Sequence, residues 1–406
     1  MKKYLIRDLF EIIGGKPSPQ GENCFSKYGT PFVKMKDLGK VHFSNNFNEF
    51  ENYVSEEVAQ INRLTIIKKG AILLPRSGSV ALNHRAVLGV DAYIVSHICA
   101  LQVKDPRVVY NIYAYYYLRS INMVNITKKT TGLDAITFED LGKIKIPLHS
   151  LDDQIRIATL LSKVENLISR RREQLKQLDE LLKSVFLEMF GDPVRNEMGW
   201  DFSILSQFGK ISTGNTPPRL ESENYNPPFI EWIKTDNIPL NSVFLTKATE
   251  SLSESGIKKG RTVEKGALLV ACIAGSVKSI GRACISDRTV AFNQQINALQ
   301  PNETVNPLFL YMLFKISQTY IQSKATKGMK KILIKGDFEK IKMIKPPLEI
   351  QNNFTMIFEK IERIKAYYQQ SLVELENLYS VLNQKVFKGE LDLSWVSLAE
   401  EVSSVS

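Results

Sequence analysis

Cysteine and histidine are scarce in this 406-residue chain, and their scarcity excludes several kinds of site. The four cysteines (Cys24, Cys99, Cys272 and Cys284) form no CxxC pair, so neither a disulfide framework nor a zinc site is predicted. The four histidines show no spacing typical of metal ligands. We therefore expect reduced, structural cysteines and no metal site.

Long hydrophobic runs are also missing. No uncharged apolar segment approaches the roughly 20 residues that a membrane-spanning helix needs, and Arg7 and Asp8 interrupt the N-terminal MKKYLIRDLF where the core of a signal peptide would lie. With 44% hydrophobic and 24% charged residues, the composition is typical of globular domains, and the length predicts two or three of them. We expect a cytoplasmic protein.

The net charge of +10 is distributed unevenly along the chain. The basic excess falls in residues 1–150 and 193–345, whereas residues 151–192 and 346–406 are slightly acidic. Two basic blocks separated by acidic spacers suit a protein that contacts a polyanion in two places, because phosphate neutralisation supplies most of the sequence-independent affinity for nucleic acids. Charge that served solubility alone would not require this partition.

The chain contains two copies of one long module. KKGAILLPRSGSV (residues 68–80) matches EKGALLVACIAGSV (residues 264–277). LGKIKIPLHSLDDQIRI (residues 141–157) matches FEKIKMIKPPLEIQNNF (residues 338–354), with an offset of 197 that places Gln154 opposite Gln351. So long a period is typical of a duplicated module rather than a solenoid, and such modules can be related by a pseudo-twofold axis.

Each copy has the same predicted order of elements. Short alternating or β-branched runs punctuated by Gly, Pro and Asn come first, and they predict strands joined by loops. An amphipathic helix follows, NIYAYYYLRSIN (residues 111–122) in the first copy and NPLFLYMLFKISQTYI (residues 306–321) in the second. Its tyrosines could stack on bases, but the second copy has Leu, Phe and Met on the same face, which favours core packing.

A long helix ends each copy, and each carries apolar residues at alternating spacings of four and three. Such heptad seams should not face water, so we expect the two helices to pair with each other in an antiparallel coiled coil. The predicted pairing seam comprises Ile157, Leu161, Val164, Ile168, Arg171, Leu175, Leu178 and Leu182 in the first helix, and Tyr368, Leu372, Leu375 and Leu382 in the second.

Catalytic motifs are absent, with one apparent exception. Asn226-Pro227-Pro228-Phe229 matches the signature with which amino-methylating DNA methyltransferases hold the target amine. A methyltransferase also needs a glycine-rich turn between a strand and a helix to bind S-adenosylmethionine, and no such turn is found. The first copy has Lys27-Tyr28-Gly29-Thr30 at the matching place, so the module does not depend on the signature. We interpret it as a loop.

These features together resemble the specificity subunits of type I restriction-modification enzymes. The resemblance rests on the repeat, on the openings GGKPSP and STGNTPPR, on the strands PFVKMKDL and PFIEWIKTDNI, and on the helix beginnings IPLHSLDDQ and KPPLEIQ. It implies a non-catalytic protein with two target recognition domains, each reading half of a split duplex DNA sequence. It also implies helices that set the gap and dock two modification subunits, with restriction subunits bound indirectly. S-adenosylmethionine, ATP and Mg²⁺ would then be held by those partners, and no cofactor by this chain.

On this reading the fold class is α+β, with two repeated mixed α/β recognition domains separated by two long helices. The predicted parts are residues 1–150 and 193–345 for the recognition domains, 151–192 and 346–390 for the helical spacers, and 391–406 for a flexible tail. Basic and amide side chains on loops are the predicted DNA contacts. They are Lys34, Lys36, Arg76, Asn83, Arg85, Lys128, Lys129, Lys234, Lys258, Lys259, Arg261, Lys278, Lys327, Lys330 and Lys331.

Two other functions stay open at this point. A stand-alone DNA adenine methyltransferase would bind S-adenosylmethionine by itself. A coiled-coil adaptor without a DNA role would not bind duplex DNA at low salt.

Overall fold

The computed structural model describes residues 2–21, 24–41, 43–77, 80–123, 135–273, 279–326 and 332–397. The chain divides into two compact units whose boundaries cross both long helices. Unit 1 contains residues 1–171 and 371–406, and unit 2 contains residues 172–370. Each unit therefore combines one copy of the globular module with a segment of each long helix.

The described residues of the first copy form ten strands and five short helices before the long helix. The strands are β1 (Lys2–Leu5), β2 (Phe10–Gly14), β3 (Thr30–Val33), β4 (Phe43–Phe47), β5 (Tyr53–Val54), β6 (Ile72–Pro75), β7 (Arg85–Leu88), β8 (Tyr93–Ile94), β9 (Ile98–Val103) and β10 (Lys145–Leu148). The helices are α1 (Ile6–Leu9), α2 (Met35–Val41), α3 (Glu56–Ile61), α4 (Asn111–Ser120), α5 (Phe138–Gly142) and the long α6 (Leu151–Phe190), with a 3₁₀ turn at Val80–Leu82.

The second copy follows the same plan. Its strands are β11 (Phe202–Ile204), β12 (Gly209–Thr213), β13 (Ile230–Ile233), β14 (Ser251–Leu252), β15 (Thr262–Val263), β16 (Leu268–Ala271), β17 (Ala283–Ile285), β18 (Val290–Phe292), β19 (Ile296–Pro301) and β20 (Lys342–Ile344). Its helices are α7 (Glu254–Lys259), α8 (Pro307–Ile316), α9 (Gln318–Ser323), α10 (Lys335–Glu339) and the long α11 (Leu348–Lys388), with 3₁₀ turns at Leu205–Gln207, Ser222–Asn224 and Thr235–Asn237.

The sheets of the two units share the same strand order except at their edges, where β4 extends the large sheet of unit 1 and β15 extends the small sheet of unit 2. The large sheet has the order β2-β9-β6-β7-β4 in unit 1 and β12-β19-β16-β17 in unit 2. In the small sheet, β3 pairs antiparallel with β5 and parallel with β8, and β13 pairs in the same two ways with β14 and β18. A two-stranded ribbon, β1-β10 or β11-β20, completes each set. The duplication predicted from the sequence is therefore confirmed in the fold.

Central strands and helices supply the cores. All four residues of β6 and of β16 are buried, as expected for continuous apolar runs covered on both faces. Tyr113, Tyr115 and Tyr116 of α4 are each 0% exposed, so their interpretation as core residues is confirmed. Burial also raises the pKa of each of these three phenols above its ordinary value.

Both long helices contribute to the core of each unit. Ile157 of α6 and Phe387 of α11 belong to one apolar cluster in unit 1. Phe186 of α6 and Phe354 of α11 belong to another in unit 2, where their rings meet edge to face with centroids 5.3 Å apart. The C-terminal part of α6 thus packs with the N-terminal part of α11, so the helices pair antiparallel and the predicted fold class is confirmed.

A buried lysine joins the helices within unit 2. Lys365 of α11 is 7% exposed, and its Nζ lies 2.8 Å from Asp179 Oδ1 and 2.6 Å from Glu362 Oε1. In unit 1, Glu165 stands at the position matching Glu362 and takes a different counter-ion, Arg119 of α4. Each glutamate is neutralised locally, which a charge beside a helix interface requires.

The predicted seam residues differ in depth. Five of them are buried, namely Ile157, Leu161, Val164, Ile168 and Leu182. The others are half-buried, namely Arg171, Leu175, Leu178, Tyr368, Leu372, Leu375 and Leu382.

Matching glutamines tie each long helix to its own globular module. Gln154 in the first turn of α6 accepts a hydrogen bond from the Tyr110 backbone N–H (2.9 Å) and donates to the carbonyls of Val108 (3.0 Å) and His149 (3.1 Å). Gln351 in α11 accepts from the Asn306 backbone N–H at 2.8 Å. It donates to the carbonyls of Pro346 and Thr304 at 2.8 and 3.3 Å. Both side chains satisfy backbone groups of the loop before α4 or α8.

The end of the described chain packs onto unit 1. Residues 391–406 are predicted to be a flexible tail, but Leu393 is 8% exposed and Val396 is 5% exposed, and both join the unit 1 core. Residues 391–397 are therefore packed rather than free, because these two side chains bury apolar surface. Over the described part of the chain, every helix is too short or too polar to cross a bilayer.

Replacing either glutamine should loosen the attachment of helix to module. Gln154→Met and Gln351→Met nearly keep the side-chain volume but each removes three hydrogen bonds to backbone groups, so each should lower the free energy of unfolding by about 2–4 kcal/mol. Urea unfolding measures the change. Gln177→Met, on the exposed face of α6, is the control and should change stability by less than about 0.5 kcal/mol. Equal effects at all three positions would contradict the attachment role.

Candidate nucleic-acid interface

A lysine is held over an aromatic pair in the small sheet of unit 1. We call Phe25, Phe32, Lys34 and Asn52 the Lys34 site. The Lys34 Nζ lies 3.6 Å from the Phe25 ring centroid and donates to Asn52 Oδ1 at 3.0 Å. The Phe25 and Phe32 rings meet edge to face, with centroids 5.5 Å apart and an angle of 63°. A cation over a ring face is attracted by the ring quadrupole.

Unit 2 contains a corresponding cluster, the Lys234 site, made of Arg219, Tyr225, Trp232, Lys234 and Glu250. The Tyr225 and Trp232 rings meet edge to face, with centroids 5.9 Å apart and an angle of 65°. The Lys234 Nζ lies 5.2 Å from the Trp232 ring, and the Arg219 guanidinium lies 4.7 Å from the same ring. Both cations pair with the Glu250 carboxylate.

The lysine and the aromatic pair recur in both sites, but the lysines cover different rings of the pair, because Lys34 lies over Phe25 and Lys234 lies over Trp232. Tyr225, Trp232 and Lys234 each lie 200 positions after Phe25, Phe32 and Lys34.

A side-chain cap fixes the backbone after each lysine. The Lys34 N–H donates to Asp37 Oδ2 at 2.8 Å, and the Lys234 N–H donates to Asn237 Oδ1 at 3.0 Å. Asp and Asn readily cap such turns because their short side chains reach a nearby backbone N–H.

Neither site is neutralised by its own carboxylates. Within the described residues, Lys34 has an amide partner and no carboxylate at ion-pair distance. Beside it, Lys36 and Lys40 share the single carboxylate of Glu51, and their hydrogen bonds lower the pKa of Glu51 to about 2. In unit 2, hydrogen bonding to Lys234 is the main cause that lowers the pKa of Glu250. Two cations that share one anion leave positive charge available for a ligand.

Two further predicted contacts in unit 2 border the loop that carries Arg219. Lys259 forms an ion pair with Glu221, and Arg261 donates from Nη1 to the Thr213 carbonyl at 2.7 Å. Lys258 is exposed in α7. The structure thus brings Lys259 and Arg261 to the same loop, residues 213–225, that leads to the Lys234 site.

The remaining described candidates of unit 1 do not join the Lys34 site. Arg76 lies over Phe138, with its guanidinium 4.7 Å from the ring. Asn83 adopts a positive φ of 55° and accepts from Arg85 Nη2 at 2.7 Å. Arg85 is 1% exposed, and its Nη1 donates to the His84 carbonyl at 2.6 Å.

Burial changes what Arg85 can do. Loss of hydration lowers the pKa of its guanidinium to about 10, and among the described residues its Nε has no hydrogen-bond partner. A guanidinium enclosed in this way is not available to a macromolecule at the surface. We therefore leave Arg85 out of the contact set that the sequence predicts.

Six predicted contacts lie outside the described residues. They are Lys128, Lys129, Lys278, Lys327, Lys330 and Lys331. Conversely, sequence reasoning missed Arg219, Asn52 and Glu250. Arg219 ends STGNTPPR, and its position six residues before Tyr225 is a signal that could have found it. Asn52 and Glu250 give no local signal, because each reaches its lysine through strand pairing.

The Asn226–Phe229 signature leads into β13. The Asn226 N–H donates to the Ser222 carbonyl at 3.0 Å, and the Phe229 N–H donates to the Leu252 carbonyl at 2.9 Å. Phe229 itself is 63% exposed. The segment is therefore a turn followed by strand pairing, in agreement with its interpretation as a loop.

The thiols and the acidic side chains suggest no separate chemistry. All four cysteines are free, and burial raises the pKa of Cys99, Cys272 and Cys284 to about 12, so these thiols resist ionisation. Over the described residues, no group of three or more His, Cys, Asp or Glu side chains could hold a metal ion.

The matches to known proteins agree on one family. A family model described as the type I restriction modification DNA specificity domain matches residues 1–178 and 197–377. The type I restriction enzyme MjaIX specificity subunit of Methanocaldococcus jannaschii is 22% identical over 416 aligned residues, covering 95% of this chain and 92% of that protein. The HindI specificity subunit of Haemophilus influenzae is 32% identical over 171 residues, covering 40% of this chain and 36% of that protein.

A solved structure shares the fold. The type I restriction-modification system S subunit from M. genitalium aligns with a TM-score of 0.60 at 16% identity, covering 95% of this chain and 96% of that chain.

The burial of Arg85 leads to a test that separates stability from binding. Arg85→Met keeps the volume and removes an incompletely paired buried charge, so the variant should be as stable as the wild type or more stable. Arg85→Ala should lose about 2–4 kcal/mol of unfolding free energy to the cavity it leaves. Thermal unfolding measures both. Duplex affinity of folded Arg85→Met should stay within about twofold of the wild type, and a larger loss would return Arg85 to the contact set.

Proposed function

This chain belongs to the type I restriction-modification DNA specificity family, and from that membership we propose that it reads a split duplex sequence, with one half-site for each copy of its module. Its function is that of a specificity subunit, and the family is one of DNA specificity rather than catalysis. The two recognition domains would be residues 1–150 and 193–345.

The observation that best supports this proposal is the presence of one cation–aromatic site in each unit. Two basic surfaces built in the same way suit two contacts with one repetitive polyanion. The loops around them differ: Lys34 has Asn52 as its partner, whereas Lys234 shares Glu250 with Arg219. We therefore expect the two half-sites to have different sequences.

The proposed DNA contacts are the predicted residues that lie at the surface, together with the six that lie outside the described residues. They comprise Lys34, Lys36, Arg76, Asn83, Lys128, Lys129, Lys234, Lys258, Lys259, Arg261, Lys278, Lys327, Lys330 and Lys331, to which the structure adds Arg219. Arg and Lys would hold phosphates, and a few Arg or amide side chains would reach base edges in the major groove.

The starts of the long helices are the proposed docking sites for modification subunits. Gln154 and Gln351 attach these segments rigidly to the globular modules, so a partner bound there would be held in a defined place beside each recognition domain. The two segments differ in charge, with Asp152, Asp153 and Arg156 in α6. The segment that opens α11 carries Glu349 alone. S-adenosylmethionine would be bound by those partners, and ATP and Mg²⁺ by the restriction subunits.

Sequencing of adenine methylation tests the proposed function directly. Cells that contain the matching modification subunits are compared with and without this gene. A split motif, with two different defined halves around an undefined gap, should appear only when the gene is present. Identical methylation in both strains, with the chain and its partners detected as a complex, would overturn the proposal.

The number of undefined base pairs between the two half-sites should depend on the length of the long helices. Seven residues inserted after Arg171 and seven after Gln370 fall between the two compact units. They would lengthen each helix by roughly 10 Å at about 1.5 Å per residue. Because duplex DNA rises about 3.4 Å per base pair, the gap in the methylated motif should grow by about three base pairs while both half-sites stay the same.

The control for this experiment is an insertion after Arg171 alone. It lengthens α6 without its partner helix, so it should lower stability instead of giving a new defined gap. A motif with an unchanged gap in the double insertion would exclude a spacing role for the helices.

A further inference from the structure

Resting on the proposed function, we propose that the Lys34 and Lys234 sites are equivalent phosphate contacts, which set the register of each recognition domain on its half-site without reading bases. These two lysines thereby differ in role from the other basic residues, which surround them on loops that differ between the copies.

The lysine and its aromatic pair occur once in each copy. The lysine, both aromatic rings and the capping residue recur at one constant spacing of 200 positions. The ring angles agree within two degrees, 63° against 65°. Both copies keep a lysine over one ring of the pair, Phe25 in the first copy and Trp232 in the second. If the half-sites differ in sequence, a lysine that both copies keep beside this pair is not expected to read bases. Phosphate contacts position a protein on DNA, whereas base contacts specify the sequence.

The chemistry of the lysines also suits a phosphate group. An ammonium group has three donors, and the described contacts of Lys34 Nζ use one of them, toward Asn52 Oδ1. The Phe25 ring covers one side of the ammonium without neutralising it. The side chain is held in place before any ligand arrives, so little rotamer entropy remains to be lost on binding. A compact, preorganised point charge suits a phosphodiester oxygen.

In unit 2 the phosphate contact would be made by two cations that share one carboxylate, instead of by a single lysine. Arg219 and Lys234 both pair with Glu250, so a phosphate could draw both cations while the carboxylate remains shared between them. Arg219 keeps 52% of its side chain exposed and Lys234 keeps 30%. A guanidinium and an ammonium over one ring offer several donors to the two free oxygens of a phosphodiester.

The principal alternative is a structural role. In that case each lysine would only hold β3 to the segment before β5, or β13 to the segment before β14. Substitutions that keep the lysine stem but remove its charge distinguish the two roles, because the stem supplies the packing and the charge supplies the phosphate contact.

The experiment uses the full-length chain and two duplexes, one with the methylated motif and one with both half-sites scrambled. Affinity is measured between about 50 and 200 mM salt for Lys34→Met, Lys234→Met and the double variant. Each single variant should weaken binding to both duplexes by the same factor, roughly three- to tenfold. Each should also reduce the slope of log affinity against log salt by about 0.9. Lys34→Arg should restore both quantities.

Matched controls are Lys163→Met in α6 and Lys360→Met in α11, an equivalent pair of exposed lysines at the offset of 197. They remove the same charge and should leave the slope unchanged. Unchanged binding in Lys34→Met and Lys234→Met would show a structural role. Altered preference at particular bases would show a base contact, and either result overturns the inference. If the wild-type chain itself prefers neither duplex, the proposed function fails instead.

Discussion

Ile157 of α6 and Phe387 of α11 lie in different copies of the repeat, yet they share one buried apolar cluster with α4 in unit 1. In unit 2 the same arrangement joins Phe186 of α6 with Phe354 of α11. Each globular module therefore completes its core with segments of both long helices. Because burial of such side chains contributes about 1.5–3 kcal/mol each, neither module reaches its full stability without the helix of the other copy.

This shared burial explains where the polar groups near the helices are placed. Glu165 and Glu362 occupy matching positions, and each is neutralised by a group from its own unit, Arg119 or Lys365. The glutamate is the same in both copies, whereas the residue that neutralises it differs. A carboxylate beside a partly dehydrated helix interface needs a counter-ion, but the geometry accepts one from α4 as readily as one from α11. The glutamines Gln154 and Gln351, by contrast, are unchanged, because each must satisfy backbone groups whose positions the fold repeats.

The duplication also gives an internal control for function. A feature in one copy alone, such as Asn226–Phe229, has no necessary part in the shared activity of the modules. A feature in both copies, such as a lysine over one ring of an aromatic pair, is shared although the surrounding loops differ. Family membership agrees with this division, since it assigns DNA specificity and not methyl transfer to the chain.

The sequence by itself determined the repeat, the two long helices and the core role of Tyr113, Tyr115 and Tyr116. These depend on periodicity and on matches between the copies, both of which can be read from the order of residues without knowing which strands pair. Only the tertiary structure decided that Arg85 is enclosed while Lys34 remains available, since both are basic residues beside loops. The reason is physical. Partners such as Asn52 and Glu250 reach their lysines through strand pairing, and no pattern of nearby residues encodes where a strand pair will place a side chain.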